Sequence, residues 1–211
     1  SSTVLRGERG SNVPDLPDNK KRIIIMKYFE LADYYKRDVN FVFDEEKNDL
    51  DYFALSEGHL VIYNHPIYYT IDKIDSYIDK YDLLPTLGPL LVSKKFRDAF
   101  SFLENSELQF FNAVITDKKG NQINDFFALN ITNTLECLDL NRSVIETTRY
   151  GIRKMKKIFF LTDALNNFSI IRMKEHKSYI IVTEEFKNIC EKSNLKGIRF
   201  LSEGDSIYTN V

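Results

Sequence analysis

Apolar positions fall mostly in short runs and period-two alternations, separated by polar stretches. That pattern predicts many strands and few, short helices. A first strand is expected over residues 23–31 (IIIMKYFEL). Residues 33–58 are polar and acidic with an aromatic every few positions, which reads as a long loop holding one short strand at 40–43. HLVIY at 59–63 and IYYTI at 67–71 then read as a hairpin turned by Asn64-His65-Pro66. Over 72–83, Asp72, Asp75, Asp79 and Asp82 recur at helical steps alongside Ile71, Ile74 and Ile78, which predicts a short amphipathic helix with an acidic flank.

The middle carries stronger punctuation. Pro89 to Val92 reads as a buried strand, Ser93 as the N-cap of the helix after it, and Phe96, Ala99, Phe100 and Leu103 as that helix's apolar face. LQFFNAVIT (108–116) and DFFALNI (125–131) read as the arms of a hairpin whose turn is DKKGN, with Gly120 free to take a positive φ. Further strands are expected at 157–162, 168–173 and 179–182. Thr183 then caps a helix running to about Leu195, Gly197 ends it, and a last strand covers 198–202.

Two stretches align without gaps at a shift of 90 residues: LLVSKKFRDAFSFLENSELQFF from Leu90 and IIVTEEFKNICEKSNLKGIRFL from Ile180. Val92 matches Val182, Ser93 matches Thr183, Phe96 matches Phe186 and Phe110 matches Phe200. Aliphatics build a strand, a hydroxyl caps the helix where the strand stops, and a first-turn Phe packs back on the sheet. Any strand–helix–strand unit converges on this grammar, and a duplicated module would show it too. The fold expected is α+β: mixed sheets with a hairpin core, two β-α-β units related by the 90-residue shift, and few short helices.

Composition narrows the picture. At 211 residues and 43% apolar, the chain can bury a core, which its 16 Phe and 12 Tyr are suited to fill. Residues 1–22 combine Ser, Gly, Pro and mixed charge without periodicity and read as a disordered leader or tag. One domain is expected over 23–211, divisible into two similar lobes at 23–135 and 136–211. The net charge of −2 gives no field that would attract nucleic acid or an anionic membrane. The leader carries five basic against three acidic side chains, so the body is mildly acidic. Two cysteines, Cys137 and Cys190, are too few for a disulfide scaffold and fit a reducing cytoplasm. No run is long and apolar enough to span a membrane.

The residues show no catalytic signature. His59, His65 and His176 have no metal-like spacing, no CxxC occurs, and neither a Gly-x-Ser-x-Gly nor a phosphate-cradling loop is present. No cofactor, metal or catalytic residue is expected. A scattered site pairing Cys137 or Cys190 with a histidine stays open as an alternative, as does a self-associating structural module.

Several runs in order resemble one family: Met26 to Leu31, GPLLVSKKFRDAF from residue 88, LQFFNAVITDKKG, ALNITN and CLDLNRS. Phe168, Ile171, Arg172 and Glu175, then Ile181 to Glu184, and finally Lys196-Gly197-Ile198 with Phe200 continue the likeness. The family is that of bacterial immunity proteins of contact-dependent polymorphic toxin systems, formerly a domain of unknown function. The resemblance extends from Lys27 to Leu201, and residues 32–70 depart most from the pattern. It implies an α+β protein, without catalytic residues, that neutralises a cognate protein toxin by binding it. Tyr34, Tyr35, Asp44, Glu45, Glu46, Asp49 and Asp51 are the candidate contacts. Aromatics are common anchors of interfaces, and carboxylates can pair with a basic toxin.

Overall fold

The computed structural model describes residues 26–147, 149 and 153–205. Along them run β1 (Tyr28–Asp33), β2 (Phe41–Phe43), β3 (Ile67–Ile71), β4 (Leu83–Leu84), β5 (Thr86–Leu87) and β6 (Leu90–Ser93). Helix α1 (Lys94–Ala99) leads to β7 (Leu108–Asp117), β8 (Gln122–Ile131), β9 (Thr134–Leu135), β10 (Val144–Thr147) and β11 (Arg153–Lys157). After these come β12 (Ile170–Met173), β13 (Ile180–Thr183), α2 (Glu184–Lys192) and β14 (Ile198–Ser202). The leader expected at 1–22 and the start of the first strand at 23–25 lie outside the described residues.

Seven strands in the order β4-β6-β8-β7-β3-β2-β5 curl into a nearly closed barrel. Its two outermost strands, β4 and β5, are successive in the chain and meet at Pro85, so the same short segment supplies both edges. Proline has no N–H to give a ladder, which suits this seam, and its carbonyl accepts from Phe41 N–H at 2.9 Å. Period-two alternation sorts the side chains. Phe41, Phe43, Ile67, Tyr69, Leu84, Leu91, Ile115, Phe126 and Ala128 fill the interior with Leu55 and Ile78. Tyr69 is fully buried, and its hydroxyl donates to Pro89 O at 2.9 Å.

A second sheet, β14-β1-β13-β12-β9, lies beside the barrel. Phe29, Leu31, Ile180 and Val182 face a core shared with Val92, Leu108, Leu129 and Ile131 of the barrel. Tyr28 and Ile181, of opposite parity, face a further cluster with Cys137, Leu138, Phe160 and Leu165. The helices meet inside the shared core, where the Phe100 and Phe186 rings stack 4.0 Å apart at 10°. Both predicted caps form: Ser93 Oγ accepts Phe96 N–H at 3.1 Å, and Thr183 Oγ1 accepts Phe186 N–H at 3.2 Å.

The α+β class with β-α-β units does not hold. Among the described residues the protein is mostly β, with 39% in strand against 14% in helix. The strands flanking each helix are not neighbours: antiparallel β8 separates β6 from β7, and antiparallel β1 separates β13 from β14. Cap and core face are local properties, whereas the intervening strand arrives from elsewhere in the chain. The hairpin expected from 59–63 and 67–71 is also absent, since β3 pairs with β2 and β7. The helix expected over 72–83 reduces to a 3-10 turn at Ile78–Lys80. Gly197 has a role other than helix termination. It takes φ 83°, and a Cβ there would lie 2.4 Å from Leu83 O, so glycine permits the sheet to close on the barrel.

Candidate interaction surface

The acidic turn after β2 is organised by its first residue. Asp44 Oδ1 accepts Glu46 and Lys47 N–H, each at 3.2 Å, in an Asx-type turn, and Oδ2 pairs with Lys47 at 3.3 Å. Asn48 then fastens the turn to β3. Its Nδ2 donates to Tyr68 O and its Oδ1 accepts Tyr68 N–H, both at 2.8 Å. These bonds occupy Asp44 and leave Glu45, Glu46 and Asp49 exposed on one turn. Asp51, also exposed, accepts Phe53 N–H at 2.8 Å and starts the next turn.

The two candidate tyrosines part company. Tyr34 is 59% exposed beyond β1, with its N–H donated to Gly197 O. Tyr35 turns onto the barrel core, its ring 4.6 Å from Tyr81 and 6.3 Å from Phe41. Burial, with Asp75 second, pushes its hydroxyl up to about 12.

Residues that sequence reasoning did not single out complete the surface. Beyond Gly58 the chain crosses the end of the barrel where Gln109 of β7 and Asn130 of β8 are cross-strand partners on the interior face. Gln109 Oε1 accepts Val61 N–H at 2.9 Å, and Gln109 Nε2 donates to Val61 O at 3.0 Å. Asn130, fully buried, donates from Nδ2 to His59 O and to Gln109 Oε1, both at 2.8 Å. Two side-chain amides thus replace the neighbouring strand that the hairpin reading supposed. Val61 and Tyr63 pack against the barrel core, whereas Leu60 and Ile62 point outward, 58% and 96% exposed. HLVIY is apolar on both faces, so its sequence does not tell the packed face from the bare one. Tyr63 borders the acidic turn, and its hydroxyl is raised by burial and then by the Asp49 carboxylate. Phe53, 61% exposed, stands on the same stretch and packs on Tyr52 at 4.9 Å.

Neither thiol is poised as a thiolate. Cys137 and Cys190 are buried, unpaired, and both pushed up to about 12, chiefly by burial. Among the described residues no group of three or more His, Cys, Asp or Glu could hold a metal ion, and no helix is long and apolar enough to cross a membrane.

Beside the surface lies a cavity of ≈ 450 Å³ lined by Tyr52, Phe53, Leu87, Leu90 and Arg172, among others. Arg172 is 4% exposed and donates to Lys177 O at 2.9 Å and Leu55 O at 3.2 Å, which ties the second sheet to the segment below Phe53. Burial lowers its pKa to about 10 against the opposing pull of Glu57. No curated protein matches the chain. A family model described as "Immunity protein family (Imm11)" matches residues 13–205.

Proposed function

Because the chain belongs to the immunity protein family Imm11, we propose that it protects the cell that makes it by binding and neutralising a cognate toxin, without a reaction of its own. The observation that carries this reading, beside the family, is the acidic and apolar surface on residues 44–63. Glu45, Glu46 and Asp49 stand exposed there, with Leu60, Ile62 and Phe53 uncovered nearby in sequence. Clustered carboxylates steer a basic partner towards docking, and desolvated apolar residues at the centre hold it.

Within this reading Tyr34, Glu45, Glu46, Asp49 and Asp51 are contacts, whereas Asp44 and Tyr35 shape the surface from beneath. The toxin is a protein bearing basic groups that acts in the cytoplasm, where the two reduced thiols of this chain also fit. Co-production with the toxin encoded beside its gene tests the proposal. The expected result is restored growth and a complex that co-purifies. Growth no better than with the toxin alone rejects it.

A further inference from the structure

Residues 59–63 belong to none of the strands, yet their main chain is held by side chains of β7 and β8. From Leu60 to Asn64 burial alternates, with 60, 62 and 64 exposed and 61 and 63 turned inward. Val61 presents both its N–H and its C=O to the one amide of Gln109. Both features are those of extended backbone, in which the polar groups of successive residues point to opposite sides. The N–H and C=O of Leu60 and Ile62 therefore point away from Gln109. Among the described residues nothing hydrogen bonds to them. The same two residues carry the outward side chains, and Ile62 at 96% is the most exposed large apolar residue described. An open backbone edge beside uncovered aliphatic surface is a template for another chain, which proteins ordinarily avoid leaving bare.

We infer that residues 59–63 form a docking strand, which an extended, basic-flanked segment of the partner protein completes by pairing with the backbone of Leu60 and Ile62 (this rests on the toxin-binding reading above). Charge selects this occupant. Between Asp44 and His65 the sequence holds six carboxylates against one lysine; Asp44 pairs with that lysine and Glu57 with Lys177, which leaves Glu45, Glu46, Asp49 and Asp51 as the acidic surface. A second copy of the chain would bring the same carboxylates against themselves, whereas a basic segment neutralises them. Backbone pairing supplies affinity with little demand on sequence, and the apolar face over Leu60 and Ile62 supplies selection.

Amide hydrogen exchange and binding to the purified toxin domain encoded beside the gene test the inference together. In the free chain, Leu60 and Ile62 amides exchange fast and Val61, held by Gln109, more slowly. In the complex all three are expected to be protected. Ile62→Pro removes one donor while favouring the extended form of Val61, and should weaken binding by about tenfold or more with the thermal midpoint unchanged. Leu60→Asp should weaken it without touching the backbone. Wild-type binding with Leu60 and Ile62 still unprotected, or with full affinity in both variants, overturns the docking strand and leaves toxin neutralisation standing. A free chain that sediments as a dimer with these amides protected, and becomes a monomer with Ile62→Pro, assigns the edge to self-pairing and equally overturns it. A wild-type chain that neither binds the toxin nor restores growth removes the parent reading and this inference with it.

Discussion

Glu30 pairs across β1 with Ile181 and Leu201, and burial raises its carboxyl to about 7, with Arg199 pulling the other way. The folded chain thus holds a proton that the unfolded chain releases near 4.5. A raised carboxyl pKa contributes stability that is full below the unfolded value and is lost as pH climbs through the folded one. The urea midpoint should accordingly fall between about pH 5 and pH 7, and Glu30→Gln should flatten that fall. An unaltered slope in the variant would contradict the assignment. Glu107 does different work: its Oε2 accepts Ser169 N–H at 2.7 Å and Ile170 N–H at 3.1 Å, joining the barrel to the second sheet. Glu107→Ala strands both donors and should cost about 2–4 kcal/mol in denaturant unfolding, with Glu107→Gln costing less. The two thiols give a third check. Held near 12, they should resist an aromatic disulfide reagent in the native protein and react fully once it is unfolded.

At the scale of elements, the paired helices carry much of the shared core. Truncating either stacked ring, Phe100→Ala or Phe186→Ala, should cost about 3–5 kcal/mol. The double variant should cost less than the two together, since each ring loses the other as a partner. Both helices were legible because their information is local: a hydroxyl cap, a first-turn Phe, an apolar face. The turn at Asp117–Asn121 was legible for the same reason, with Gly120 at φ 84°. The segments misread were those whose partners are distant. The aspartates that suggested a helix over 72–83 have other tasks: Asp75 pairs with Arg37 at 2.7 Å, and Asp82 accepts Lys196 N–H at 2.7 Å and Ser93 Oγ–H at 2.6 Å. At the surface, Glu45, Glu46 and Asp49 could be read as charge. Leu60 and Ile62 could not, because a run that is apolar on both faces does not show which face is bare. The replacement of a strand by Gln109 and Asn130 leaves no trace in local pattern.

For the molecule as a whole, barrel and sheet share one core through Phe96, Phe100, Phe186 and Leu129, and are laced at Glu107, Arg172 and Asp82. They are expected to unfold together, with far-ultraviolet circular dichroism and tyrosine fluorescence tracing a single coincident transition. Two separated transitions would instead divide the chain into independent lobes.

The grip of Gln109 and Asn130 falls on main-chain atoms of Val61 and His59, which every amino acid but proline can supply. Nothing in that grip reads the letters at 60 and 62. Those two positions are consequently free to drift without loosening the barrel, so a lineage pressed by a changing adversary could rewrite its recognition there, one outward residue at a time, on an unchanged scaffold.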